Sequence, residues 1–355
     1  MDERDRRATR ANKASVSTLL ERLHSSADAT PIQRARAYEL KGTILGNLSR
    51  DDEAIAEFRT ALDLFETSLG PDAPPSIKSR MGLADALTNV GQVPEAIEQA
   101  QRAVDDAERS QGPDSVWTAR ACLSLAIAYA NTGRLEESEQ HFRRSASIQE
   151  RALGDSNADV AATDSNLARV LTGRDRPAEA LEALEHATAI YERGYRDNHP
   201  DLTLLYRNLS RAQLALERWD DAFDSGQRAV DVARANFGDD DPMTARAQEH
   251  VGAALIGAGR GHGAIDVLRP ALKTLRAREV QSSLIAQVEF ELARAHRLVG
   301  DEQHARDLAL QARARYVADD RGFERRVAAI DAWPRSAGDA EGETSDASTR
   351  PRSDL

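Results

Sequence analysis

Residues 52–55 read Asp52-Glu53-Ala54-Ile55, and Ala54 sets a register that runs through most of the 355-residue chain. Steps of 42 residues from Ala54 land on Ala96, Ser138, Ala180, Ala222 and Ala264, and a step of 41 then reaches Ala305. Seven positions after each of these stand Ala61, Ala103, Ser145, Ala187, Ala229, Ala271 and Ala312. Twelve positions before each stand Gly42, Ala84, Ala126, Ala168, Ser210, Gly252 and Ala293. No residue in the three columns is larger than Ser. Repetition at a fixed period of this length marks an array of one supersecondary unit.

The columns have a physical meaning. A small residue on a helix face lets a second helix approach closely. Two such columns twelve residues apart, with a turn between them, describe two antiparallel helices, A then B. The residue before the first column is apolar in six units, as Leu83, Leu125, Leu167, Leu209, Val251 and Leu292, with Lys41 the exception. The A–B turn carries Gly91, Gly133, Gly259 and Gly300 in register, as a helix C-cap with positive φ requires. The linker to the next unit carries Gly70, Gly112, Gly154 and Gly238. Pro74, Pro200 and Pro242 share a column near the start of helix A, where the missing N–H costs nothing, and Asp241 stands ready as an N-cap. In the third unit helix A is expected over Ser115–Thr132 and helix B over Leu135–Leu153. One hairpin cannot bury its apolar face alone, so the units must stack into an all-α solenoid. Length by itself suggests two or three domains. The register replaces that with seven hairpins over residues 31–317, an N-terminal segment 1–30 with one capping helix (Ser15–His24, apolar at Val16, Leu19, Leu20 and Leu23), a capping helix within 318–334 stopped by Pro334, and a disordered tail 335–355.

Composition narrows the function. Lys and Arg number 47 against 59 Asp and Glu, a net charge of −12, which argues against general nucleic-acid binding through phosphate neutralisation. No apolar run reaches the length of about 18 residues that a membrane span needs, and no apolar stretch follows the charged Met1–Arg7, so the expected location is cytoplasmic, with no membrane partner. A single Cys excludes a disulfide framework.

The columns resemble the tetratricopeptide repeat (TPR), with small residues at these offsets and Leu before the first. The 42-residue spacing resembles the kinesin-light-chain type, as do Asn166-Leu167-Ala168, Asn208-Leu209-Ser210, His199-Pro200-Asp201 and Leu153-Gly154-Asp155. This resemblance implies a right-handed superhelix of helical hairpins that serves as a noncatalytic scaffold or adaptor for a protein or peptide partner. A looser resemblance, carried by Phe290-Glu291-Leu292-Ala293-Arg294-Ala295, the Ala305–Tyr316 helix and Ile330-Asp331-Ala332-Trp333, is to the TPR region behind the catalytic domain of large bacterial serine/threonine kinases. It implies the alternative of a regulatory signalling piece without its kinase, for the chain has no Gly-rich loop leading to a strand Lys, no His-Arg-Asp and no Asp-Phe-Gly.

No catalytic constellation, cofactor motif or metal site is expected. None of the eight His pairs with another at i, i+4 on one helix. His296 and His304 straddle a turn, which is a weak sign of a metal site, and they read instead as surface polar residues. Cys122, four residues before a small column, reads as a small core residue. Gly257-Ala258-Gly259-Arg260-Gly261-His262-Gly263 follows no strand and lacks the Lys-Ser/Thr of a phosphate loop, so it reads as a loose turn.

The resemblance places five helix A positions on the concave surface: six and three before the small column, then one, four and five after it. Five after gives Asn47, Asn89 and Asn131. Six before gives Arg36, Lys78, Arg120 and Arg246. One after gives Arg169, Arg211 and Arg294, with Asp85 of opposite sign, and Leu204 and Leu214 make the wall more apolar. Asn offers donors and an acceptor for an extended backbone, and Arg grips carboxylates bidentately. The expected ligand is an acidic or C-terminal peptide segment. The plainer account is that these charges form ordinary helix-surface pairs, such as Arg36 with Glu39.

Overall fold

A computed structural model describes residues 29–194, 198–278, 280–319 and 323–332. The helix expected over Ser15–His24 and the tail expected from Arg335 lie outside them. The described residues form fifteen α-helices and no strand. The chain divides into two compact units, Met1–Tyr195 and Arg196–Leu355. In the first, α1 (Pro31–Asn47) pairs with α2 (Asp51–Leu69), α3 (Pro74–Asn89) with α4 (Val93–Gln111), α5 (Val116–Asn131) with α6 (Leu135–Leu153), and α7 (Ala158–Gly173) with α8 (Pro177–Gly194). In the second, α9 (Asp201–Ala215) pairs with α10 (Trp219–Phe237), α11 (Pro242–Gly257) with α12 (Gly261–Ala277), and α13 (Ser282–Leu298) with α14 (Glu302–Ala318), followed by α15 (Glu324–Asp331). These are all-α repeat units built of consecutive helical hairpins.

Within each unit every helix packs on the next. The A helices also touch one another: α1 meets α3, α3 meets α5 and α5 meets α7 in the first unit, and α9 meets α11 and α11 meets α13 in the second. Successive B helices show no comparable packing. The A helices are therefore the more closely spaced layer, and line the inside of each unit's curvature.

All three small columns are buried. Where Ser replaces Ala, its hydroxyl finds a carbonyl on the facing helix. Ser138 Oγ donates to Ala126 O at 2.8 Å, Ser145 Oγ to Ala119 O at 2.7 Å and Ser210 Oγ to Ala222 O at 2.7 Å. A buried hydroxyl without such a partner would be costly. The two glycines have a different cause, because each faces a large residue four positions after the small residue of helix B, Ala54 or Ala264. A Cβ on Gly42 would lie 3.1 Å from the Phe58 ring, and one on Gly252 only 2.4 Å from Leu268 Cγ. Leu268 is fully buried and has nowhere to go. Gly252→Ala should therefore destabilise the second unit by about 1–3 kcal/mol, although Ala is the better helix former. Urea denaturation checks this, and Leu268→Ala in the same chain should recover part of the loss.

The A–B turns share one backbone geometry. Ser49, Gly91, Gly133, Asp175, Glu217, Gly259 and Gly300 all have φ between 55° and 79°, so the left-handed residue recurs in all seven hairpins whatever its side chain. The linker glycines are stricter. Gly112, at φ 90° and ψ 157°, occupies a region open essentially only to Gly, and its carbonyl accepts the Thr118 hydroxyl at 2.7 Å. At the N-termini, Ser115 and Asp241 cap α5 and α11 with their side chains. The stretch 257–263 is not the loose turn expected. A Cβ on Gly257 would fall 2.3 Å from the Trp219 ring and one on Gly261 would fall 2.8 Å from Val299, so these glycines answer to close packing.

Candidate functional site

In the first unit, the structure gathers part of the expected site in one place. Asn47, Lys78 and Asn89 line a hollow of ≈ 290 Å³ between the first two hairpins, with Glu39, Met81 and Asp85. Its charges are largely answered from within. Lys78 Nζ lies 2.9 Å from Glu39 Oε1, and Asn89 Nδ2 donates to Asp51 Oδ1 at 2.9 Å. Glu39 thus pairs across to the next A helix, not with Arg36 on its own. Asp85 opens to solvent on one side and is crowded by protein on the others, and this burial pushes its carboxyl up, against the lowering effect of the Ser124 hydroxyl 2.7 Å away. Arg120 and Asn131 lie outside the hollow, and Arg120 is met by Asp159 of α7 at 3.3 Å. The basic stripe expected along this unit is therefore neutralised at Lys78 and Arg120 by acids on neighbouring A helices. Partial burial holds the Arg169 guanidinium below the ordinary value, with no opposing acid among the described residues.

The second unit breaks this pattern. Three residues before the small column on one A helix meets six before it on the next. Glu39 and Lys78 occupy these positions in the first two hairpins, and Glu249 with Gln287 occupies them in the last two, where Gln287 Nε2 donates to Glu249 Oε1 at 2.9 Å. On α9 and α11 the same two positions hold Arg207 and Arg246. Burial, then the charge of Arg246, with a smaller push from Arg211, brings the Arg207 guanidinium down to about 10, with Glu249 pulling the other way. Arg207 Nε is buried without a hydrogen-bond partner. Arg207 was not among the residues expected. Its signal was available in the column that holds Glu39 and Glu249, but Arg is unremarkable there until Arg246 is known to face it. Leu204, 49 % exposed, stands one turn before it.

Two titratable groups that feel the charge of Glu249 are shifted by burial. His250 is held down to about 4, chiefly by burial and further by Arg207, Arg211 and Arg246, while Glu249 opposes the shift. Glu291 is raised to about 7 by burial, against the attraction of Arg294 2.9 Å away. Their contributions to stability run in opposite directions. Between pH 4 and 6.5 the unfolded chain protonates His250 while the folded chain does not, so stability falls as pH falls through that window. Between about pH 4.5 and 7 the folded chain keeps a proton on Glu291 that the unfolded chain has lost, so stability falls as pH rises. Each contribution is at most about 3 kcal/mol. Thermal melts from pH 4 to 8 should show His250→Gln removing the acid-side loss and Glu291→Gln removing the alkaline-side loss.

Cys122 is fully buried, and burial pushes its thiol up to about 11, as befits a core residue. His296 departs from expectation, for it is buried rather than on the surface. No described helix is long and apolar enough to cross a membrane.

The tetratricopeptide repeat family matches residues 33–105, 76–151, 120–193, 159–235 and 201–277. Among solved structures, the chain is similar to the kinesin light chain nearly identical TPR-like repeats of Podosopora anserina, at 22% identity over 59% of this chain and 99% of that one, with a TM-score of 0.53. It is similar to BtubC (BKLC) from P. vanneervenii at 21% identity over 64% and 92%, with a TM-score of 0.55. It is also similar to the apo quorum sensor NprR from B. thuringiensis at 13% identity over 87% and 83%, with a TM-score of 0.64. At these identities the likeness is one of fold. No curated protein sequence matches the chain.

Proposed function

The chain belongs to the tetratricopeptide repeat family, and from that premise we propose that it is a noncatalytic adaptor whose A-helix faces capture an acidic peptide segment of a protein partner. The observation that carries this is the like-charged pair Arg207 and Arg246, set at positions that are complementary in other hairpins. Two guanidiniums so placed repel one another, and the buried Arg207 Nε lacks an acceptor. A carboxylate between them supplies both the missing acceptor and the missing charge. Arg211 stands beside the same place, and exposed Leu204 offers an apolar contact for a neighbouring side chain. In the first unit Asn47 and Asn89 edge a hollow wide enough for a side chain, and suit the backbone of an extended segment.

A display library of peptides with free C-termini provides the test. The full chain should enrich peptides with Asp or Glu, internally or at the terminus, and an amidated copy of each enriched peptide separates a side-chain carboxylate from a terminal one. Enrichment without acidic residues, with amidation having no effect, would sink the proposal.

A further inference from the structure

The last A–B turn departs from the other six at three positions together. Where His296 stands, the other hairpins have Leu45, Leu87, Tyr129, Leu171, Gln213 and Leu255. Where Asp301 stands, they have Arg50, Gln92, Arg134, Arg176, Arg218 and Arg260. Where His304 stands, they have Glu53, Glu95, Glu137, Glu179, Asp221 and Gly263. In four hairpins the last two positions form an ion pair that closes the start of helix B, including Arg134 with Glu137 at 2.7 Å and Arg218 with Asp221 at 2.7 Å. An exchange of signs alone would need only Asp301 and His304. It does not account for a His in place of a buried Leu.

The fold brings the three together. His296 Nδ1 lies 2.9 Å from Asp301 Oδ2, His304 Nδ1 lies 2.8 Å from the same oxygen, and the two rings stack with centroids 5.2 Å apart. One ligand atom from each residue lies within 4.8 Å of the others. We propose that His296, Asp301 and His304 form a Zn²⁺ site on the last hairpin. Two imidazole nitrogens and one carboxylate oxygen form a donor set that suits zinc, with the fourth tetrahedral position left for water or an outside ligand. Bonds of about 2.0–2.2 Å to zinc place ligand atoms about 3.3 Å apart, so the two N–H···O contacts widen only slightly as the metal replaces them. Each neutral ring then carries its proton on Nε2 instead of Nδ1. Asp301 is tethered as the N-cap of α14 and His296 is held by burial, while the exposed His304 ring is free to turn onto the ion. Cys122 is not a competing ligand, being buried in the other unit.

The test uses the chelator-treated full chain at neutral pH, titrated with Zn²⁺ by calorimetry and with Co²⁺ by visible absorption. The expected result is one ion per chain, a tetrahedral Co²⁺ spectrum, and a melting temperature raised by Zn²⁺. His304→Ala should weaken binding at least tenfold. His296→Leu, the residue of four other hairpins, should do the same. The pair Asp301→Arg with His304→Glu restores the ion pair of the other turns. It should fold and melt normally without Zn²⁺ and lose both the Co²⁺ spectrum and the zinc-induced shift. Absence of stoichiometric binding to the unaltered chain overturns the proposal, as does binding that survives in the His296→Leu or paired variant.

Discussion

Arg246→Glu should abolish capture of acidic peptides and at the same time make the second unit more stable. Arg246 and Arg207 hold the positions where Lys78 and Glu39 make an ion pair. A Glu at 246 recreates that pair with reversed polarity, removes the repulsion and gives Arg207 an acceptor. Stability should rise by about 1 kcal/mol, the size typical of relieving a functional site. Binding should fall by about 2–5 kcal/mol, the cost of removing one partner of a desolvated charge pair, which is roughly 30-fold to several thousand-fold in Kd. Fluorescence anisotropy with the acidic peptides selected by the chain reads the binding, and urea denaturation reads the stability. The two readouts must move in opposite directions. A variant that binds as before removes Arg246 from the site, and one that loses binding only because it is less stable makes the pair a structural feature.

Phe142→Ala should cost about 3–5 kcal/mol. Phe142 lies in α6 and is fully buried. Its position four residues into helix B from Ser138 is the one that holds Phe58, which fills the space at Gly42, and Leu268, which fills it at Gly252. Truncation opens a cavity between packed helices that relaxes only in part. In an array where each hairpin is stabilised by its neighbours, the damage should concentrate at the third hairpin. Hydrogen exchange should show α5 and α6 losing protection first, while α9–α14 stay protected. Uniform loss across both units would mean that they unfold as one.

The repeat was legible because small residues at fixed offsets have one common cause, close helix approach. It survives Ser in place of Ala and a one-residue shortening in the last unit. The left-handed turn was legible only where Gly marks it. Ser49, Asp175 and Glu217 adopt the same φ because the hairpin imposes it, and nothing in those side chains announces it. The exchange of volume between Gly42 and Phe58 was hidden for a related reason, since sixteen residues of sequence separate two atoms in contact. The candidate site shows the same limit. Arg36, Lys78, Arg120, Arg169, Arg211 and Arg246 could be placed on one face by column, but whether each was neutralised depended on the neighbouring A helix. Lys78 and Arg120 meet acids there; Arg246 meets Arg207.

The sequence by itself determined the all-helical hairpin, its period and the columns along which helices touch, because backbone geometry and side-chain volume act locally and repeat. Only the tertiary structure decided which charges remain unanswered and which two histidines converge on Asp301. Those outcomes depend on distances between side chains from successive A helices, or across a turn, and a Coulomb interaction of a few ångströms has no counterpart in spacing along the chain.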